Sequence, residues 1–141
     1  GRAWGRLQHR AEFLRAASQG ARKGTPAFLL QVVAQPADSG TSTLPARLRV
    51  GFTATRKLGN AVIRSRAKRR LRAAADCVLP ALATKAVDMV LIARPDCLSR
   101  DFSHITDDLR RAADQALRQL DRPAQHHAQK LRLSDDMKAL P

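Results

Sequence analysis

Between residues 47 and 55 apolar and polar side chains alternate. Leu48, Val50, Phe52 and Ala54 fall on one side, and Arg47, Arg49, Gly51, Thr53 and Thr55 on the other. A period of two predicts a half-buried strand with a polar, cationic outer face. Ala27 to Ala34 is apolar on both sides apart from Gln31, as in a largely covered strand, and Val87 to Ala93 (V-D-M-V-L-I-A) reads as a second buried strand. Three segments repeat instead at helical spacing. Leu7, Ala11, Leu14 and Ala17 predict a short amphipathic helix that ends at Ser18-Gln19-Gly20. Asn60 suits an N-cap for a helix running to about Leu79 and stopped by Pro80, with Ile63, Ala67, Leu71, Ala74 and Val78 in one stripe. From about Ser103 to Leu120 a last helix buries Ile105, Leu109, Ala113, Ala116 and Leu117, leaving Asp107, Asp108, Arg110, Arg111 and Arg118 as a solvated face.

The order helix, strand, strand, long helix, strand, helix describes a small α+β sandwich with no internal repeat. A chain of 141 residues with 44% hydrophobic content supports one compact domain, assigned to residues 1–120. Gln35 to Pro45, rich in Pro, Gly, Ser and Thr, reads as a surface loop. Residues 121–141 read as a polar, flexible tail. The longest apolar runs are strand-sized, well short of the roughly 20 residues a membrane helix needs, and the arginine-rich start does not resemble a secretory signal. A soluble, cytoplasmic protein is expected. Cys77 and Cys97 are the only cysteines and lack metal-ligand spacing, so both are expected to be small core thiols in a reducing compartment.

Charge changes this picture more than composition does. Residues 1–75 carry 16 Lys+Arg against Glu12 and Asp38, whereas residues 76–141 carry ten of each sign, so the whole net charge of +14 lies in the N-terminal half. The run Arg56 to Arg72 packs eight cations and no carboxylate into a turn and the helix after it. On that helix Arg64, Lys68 and Arg72 follow one edge of the apolar stripe, and Arg66 with Arg70 the other. Such a helix can dock on a sheet and still turn its cations outward. Like charges this dense repel one another, and a polyanion offsets the repulsion while releasing counterions. Because the stripe is matched to a globular core, nucleic acid is favoured over an anionic membrane surface.

The acid inventory argues against catalysis by protein groups. A hydrolase acting alone needs gathered carboxylates or a histidine pair, and neither lies where the positive charge is. No P-loop pattern is present, a helix-turn-helix does not fit a helix entered from a strand, and 4% aromatic content does not suggest a base-stacking platform. A phosphate-reading RNA binder remains. No bound cofactor or metal is expected in the protein.

The stretch R-V-G-F-T-A-T-R-K-L-G-N-A-V-I-R-S-R-A-K-R-R-L-R, Arg49 to Arg72, closely resembles the hallmark segment of the bacterial ribonuclease P protein component. Arg6-Leu7 with Glu12-Phe13, Phe28-Leu29-Leu30 and Val90 to Arg94 resemble that family's first helix and flanking strands, so the likeness covers roughly residues 6–120. It implies a two-layer α+β sandwich with about four strands and a left-handed βαβ crossover around the long helix, the fold of a ribosomal-protein domain. It also implies partners: a large catalytic RNA holding the magnesium ions, and precursor tRNA, whose 5′ leader the assembly removes. No membrane and no obligate protein partner are implied. By the same resemblance Arg56, Lys57, Asn60, Arg64, Ser65, Arg66, Lys68, Arg69 and Arg72 would contact RNA. Arg10, Phe13, Gln31, Arg49 and Thr53 would line a cleft for the leader. Ser65 replaces the asparagine of the family's Arg-Asn-Arg, and Ala17 and Gln31 stand where relatives often carry aromatics. The leader site is therefore expected to be weaker or more electrostatic, with stacking resting on Phe13. The main rival is a structural RNA-binding protein of ribosomal type that assists no reaction.

Overall fold

The computed structural model of the chain describes residues 4–36 and 47–120. The proposed tail, residues 121–141, and most of the Gln35 to Pro45 loop lie outside the described residues.

Five strands form one mixed sheet: β1 (Gly5–Arg6), β2 (Ala21–Gly24), β3 (Phe28–Ala34), β4 (Arg49–Thr53) and β5 (Val87–Ala93). Their order across the sheet is β1-β4-β5-β3-β2. The β3, β4 and β5 segments coincide with the predicted runs. β1 and β2 are additions at the two edges, the first parallel to β4 and the second antiparallel to β3. The central pair, β4 and β5, runs parallel from Arg49 opposite Asp88 to Thr53 opposite Ile92. Parallel neighbours need a long connection, and helix α2 (Ala61–Val78) supplies it in a βαβ unit. β3 lies antiparallel on the other side of β5.

The α+β fold thus agrees with expectation, with a sheet one strand wider. Helices cover both faces. On one face α2 and α3 (Phe102–Leu120) bury Phe28, Leu30 and Val32 of β3, Val50 of β4 with Leu48 just before it, and Met89 and Leu91 of β5. Ala67, Leu71, Ala74 and Val78 of α2 are buried against them as predicted, Ala75 joins them, and Ile63 of the predicted stripe is only half-buried. With 24 buried residues against four in the cluster on the other face, this is the larger apolar core of the domain.

On the opposite face α1 (Arg10–Gln19) covers a smaller cluster of Leu7, Ala16, Val33 and Val90, with Phe13 and Ile92 packed alongside. The helix starts later than its apolar period suggested. Glu12 sets the start: its Oε1 accepts from the amides of His9 at 2.8 Å and Gln8 at 3.1 Å, satisfying donors the helix leaves unpaired.

Candidate nucleic-acid interface

The turn between β4 and α2 is built from its sequence. A single 3-10 turn spans Arg56–Leu58, and Gly59 follows at φ +153°, a backbone setting that L side chains rarely adopt. A Cβ there would also press on the Ile63 side chain at 3.0 Å. Asn60 then caps α2, its side chain accepting from the Ile63 amide at 2.9 Å. The helix therefore leaves the turn in one direction, with Ala67 and Leu71 fixed to the core.

Most of the polar residues of the turn and helix reach solvent. Arg56, Lys57, Asn60, Ser65, Arg66 and Arg69 are exposed, and Arg64, Lys68 and Arg72 are half-buried. The guanidinium of Arg72 stacks over the Phe52 ring at 5.4 Å from its centroid, and Phe52 tilts against Trp4 at 5.7 Å. Arg64 Nε is shielded from solvent and has no hydrogen-bond partner among the described residues. All nine of these residues lie on one turn and one helix, as the sequence placed them. Arg70 is different. It donates from Nε to the Cys97 carbonyl at 2.8 Å and from Nη2 to the Arg100 carbonyl, tying α2 to the segment before α3. It flanks the stripe as predicted, but it fastens the fold.

The α1 face holds the second group of predicted residues, and there the structure divides them. Arg10 and Phe13 stand one turn apart on α1, with Arg10 exposed and Phe13 half-buried over Gly51. A Cβ on Gly51 would lie 2.5 Å from the Phe13 ring, so this close approach needs glycine. Thr53, two residues on and on the same face of β4, is half-buried. Gln31 is not on an open face: it is 3% exposed in the inner strand β3, between Leu29 and Val33 on the side α1 covers. Arg49 is not a free cation either. Its Nε and Nη2 donate to Asp88 Oδ1 and Oδ2 at 2.8 and 2.7 Å, and its Nη1 pairs with Glu12 Oε2 at 2.6 Å. The hydrogen bonds to Asp88 are the main reason its pKa is raised.

Asp88 organises this floor from a position 1% exposed. Besides Arg49 it receives Gln35 Nε2 at 3.2 Å and faces Arg15 at 3.7 Å. Gln35, read as a loop residue, also donates to the carbonyls of Arg47 at 2.6 Å and Val87 at 3.1 Å. Burial pushes the Glu12 carboxyl up, but the His9 and Gln8 amides, Arg49 and His9 outweigh it, leaving the group below its ordinary 4.5. Neither Asp88 nor Glu12 was assigned a role from sequence. A carboxylate inside an otherwise apolar strand was the available signal, because a buried charge requires a partner.

Asp108 and Cys77 both depart from expectation. Asp108 is buried, not solvated, its oxygens accepting from Arg111 and Arg100 at 2.9 Å each. Cys77 is exposed on α2, whereas Cys97 is buried as expected, and burial pushes its thiol up to about 11. The described residues hold no group of three or more His, Cys, Asp or Glu suited to a metal ion, and no helix among them is long and apolar enough to cross a membrane.

Comparison with known proteins places this architecture. A family model described as Ribonuclease P matches residues 3–117. The chain is 48% identical over 107 residues to the ribonuclease P protein component of Ruegeria pomeroyi, covering 75% of this chain and 81% of the relative. It is 46% identical over 104 residues to that of Paramagnetospirillum magneticum, covering 74% and 76%. Among solved structures, the RNase P protein of Staphylococcus aureus superposes with a TM-score of 0.60 at 23% identity, over 79% of this chain and 94% of the other. That of Thermotoga maritima gives 0.58 at 24% identity, over 74% and 90%.

Proposed function

The chain belongs to the ribonuclease P protein family, and from that premise we propose that it is the protein subunit of ribonuclease P, binding both a catalytic RNA and the 5′ leader of precursor tRNA. The observation that carries this reading is α2, which commits its apolar stripe to the core and turns outward an array of cations that includes no acid between Arg56 and Arg72. Arg66 and Arg69, with Arg56 and Lys57 in the preceding turn, are positioned to pair with backbone phosphates. Arg64 keeps an unused donor at its shielded Nε. Each phosphate neutralised releases counterions, so affinity should fall steeply with salt.

The leader would lie along the α1 side of the sheet. Arg10, Phe13 and Thr53 remain accessible there, beside the part-exposed Arg49. Phe13 offers one aromatic face for a base, while Arg49, neutralised by two carboxylates, contributes to shape more than to charge. Such a site holds a single strand by one stacking platform and a few polar contacts.

In this reading catalysis belongs to the RNA, which would hold the magnesium ions, and the protein lowers the cost of bringing two polyanions together in the cytoplasm. The test is cleavage of precursor tRNA by the cognate RNA at low magnesium, with and without the protein. Stimulation is expected. Binding to RNA without stimulation would favour a structural RNA-binding protein instead, and cleavage by the protein alone would move the chemistry into its own residues.

A further inference from the structure

At the edge of the sheet opposite β1, the β2–β3 turn and helix α3 enclose a hollow of about 250 Å3. Lys23, Gly24, Thr25 and Pro26 form one wall, and Asp108, Arg111, Ala112 and Gln115, successive residues of one α3 stripe, form the other. The volume is below the roughly 300–1,000 Å3 of a pocket for drug-sized ligands, and the lining is polar and charged where such pockets are largely apolar.

The charge around this hollow is unequal by construction. Asp108 is the only acid in its wall, and both of its oxygens are occupied, one by Arg111 and the other by Arg100. The buried carboxylate thus holds Arg111 at the rim through Nη2, while the arginine side chain stays exposed and open to a further partner. Lys23 faces it from β2 and makes no ion pair among the described residues. The other arginines of α3 are matched by acids along the helix, Arg110 with Asp107 at 3.2 Å and Arg118 with Asp114 at 3.1 Å. Positive charge is therefore in surplus at the hollow and balanced on the rest of that helix.

The turn that forms the first wall is also held rigidly. Thr25 Oγ1 accepts from the Phe28 amide at 3.1 Å, and Arg94 reaches from the end of β5 to donate to the Thr25 carbonyl at 2.8 Å. A lysine and a carboxylate-braced arginine across a polar hollow on a rigid frame suit a tetrahedral anion. We propose that this hollow is a second phosphate site, which takes a backbone phosphodiester of the catalytic RNA through Lys23, Arg111 and Gln115. The proposal rests on the RNA-binding reading above and extends the footprint from α2 to the far edge of the sheet.

Lys23→Glu and Gln115→Glu reverse the charge of the hollow without touching Asp108 or its arginines, and unchanged thermal unfolding will show that the fold is intact. Binding of the full protein to the catalytic RNA is measured across a salt series. The pair of substitutions is expected to weaken binding about tenfold or more at moderate salt and to reduce the dependence of log K on log salt by about one. Lys23→Gln alone should reproduce the reduced slope with a smaller loss. If the variants bind as the wild type does, with an unchanged slope, the hollow is not a phosphate site although the RNA-binding reading stands. A wild-type protein that fails to bind the RNA would overturn both. A loss confined to precursor tRNA, with the catalytic RNA unaffected, would overturn the assignment of the phosphate to the catalytic RNA.

Discussion

Arg49 grips both carboxylate oxygens of Asp88, at 2.8 and 2.7 Å, across the boundary between β4 and β5. The two residues are direct partners in the parallel ladder, and the same arginine reaches Glu12 on α1. One side chain therefore joins two strands and the helix that lies over them. The sheet face beneath a candidate leader site is held by this charge cluster as much as by the small apolar cluster beside it.

Removing one member should expose the cost of the others. Asp88→Ala leaves Arg49 with Glu12 as its one carboxylate and takes the acid away from Arg15, and breaking a buried pair costs about 3–5 kcal/mol. Arg49 is 36% exposed, so water recovers part of its solvation and the loss should fall near the lower end. Urea unfolding of Asp88→Ala, Arg49→Ala and the double variant will show whether the two losses overlap, as they must if the residues act as a pair. Simple addition of the single losses would contradict the coupling.

Glu12 predicts a dependence on pH. Its folded pKa lies below the ordinary 4.5, so the stability it contributes is fully present above about 4.5 and is lost as pH falls through the folded value. Glu12→Gln should cost about 1 kcal/mol near neutrality, through the weakened start of α1 and the lost pairing to Arg49. The difference from wild type should shrink progressively in acid and vanish once the wild-type carboxyl is protonated. Denaturant melts at several pH values check this; a constant difference down to strong acid would show that the charge of Glu12 is not what matters.

Phe13 and Gly51 should fail together. Phe13→Ala removes the accessible ring, and Gly51→Ala places a methyl where the ring now lies, displacing it. Each is expected to reduce affinity for precursor tRNA carrying a leader by about tenfold, the scale of one base–aromatic stack, and to leave affinity for leaderless tRNA unchanged. Equal affinity with and without Phe13 would remove it from the site.

The thiols should differ sharply. Cys77 is exposed, whereas Cys97 is buried against α2 with its Sγ 3.5 Å from the Ala67 carbonyl and its pKa raised to about 11. Thiolate is the reactive form, so a thiol reagent at neutral pH should modify Cys77 and reach Cys97 only on unfolding. Two thiols reacting at the same rate in the native protein would contradict the burial.

What the sequence disclosed follows from the range of the forces involved. The three long strands and α2 were legible because burial imposes a period on them, and the turn at Gly59-Asn60 because its chemistry is local. β2 was not, since Ala21-Arg22-Lys23-Gly24 carries no alternation and is held at the edge by its ladder to β3. Gln31 was misplaced because one strand cannot report which of its faces a helix covers. The destinations of Arg49 and Arg70 lay beyond sequence reading, since their partners are 39 and about 30 residues away and chosen by the fold. The cationic run predicted the surface, but not which of its members the fold would keep for itself.

That last distinction can be measured. Arg66 and Arg69 are exposed on α2, whereas Arg70, adjacent in sequence, spends two donors on the carbonyls of Cys97 and Arg100. Arg70→Ala orphans two backbone acceptors and should destabilise the protein by about 1–3 kcal/mol, with its RNA affinity at low temperature changing little once folded. Arg66→Ala and Arg69→Ala should do the reverse, unfolding with the wild type but losing affinity uniformly across RNA sequences, each lowering the salt slope by about one. A basic helix that acted only through its total charge would make the three substitutions equivalent in binding. The hydrogen bonds of Arg70 predict that they are not, and side-by-side titrations and melts of the three variants decide between the two.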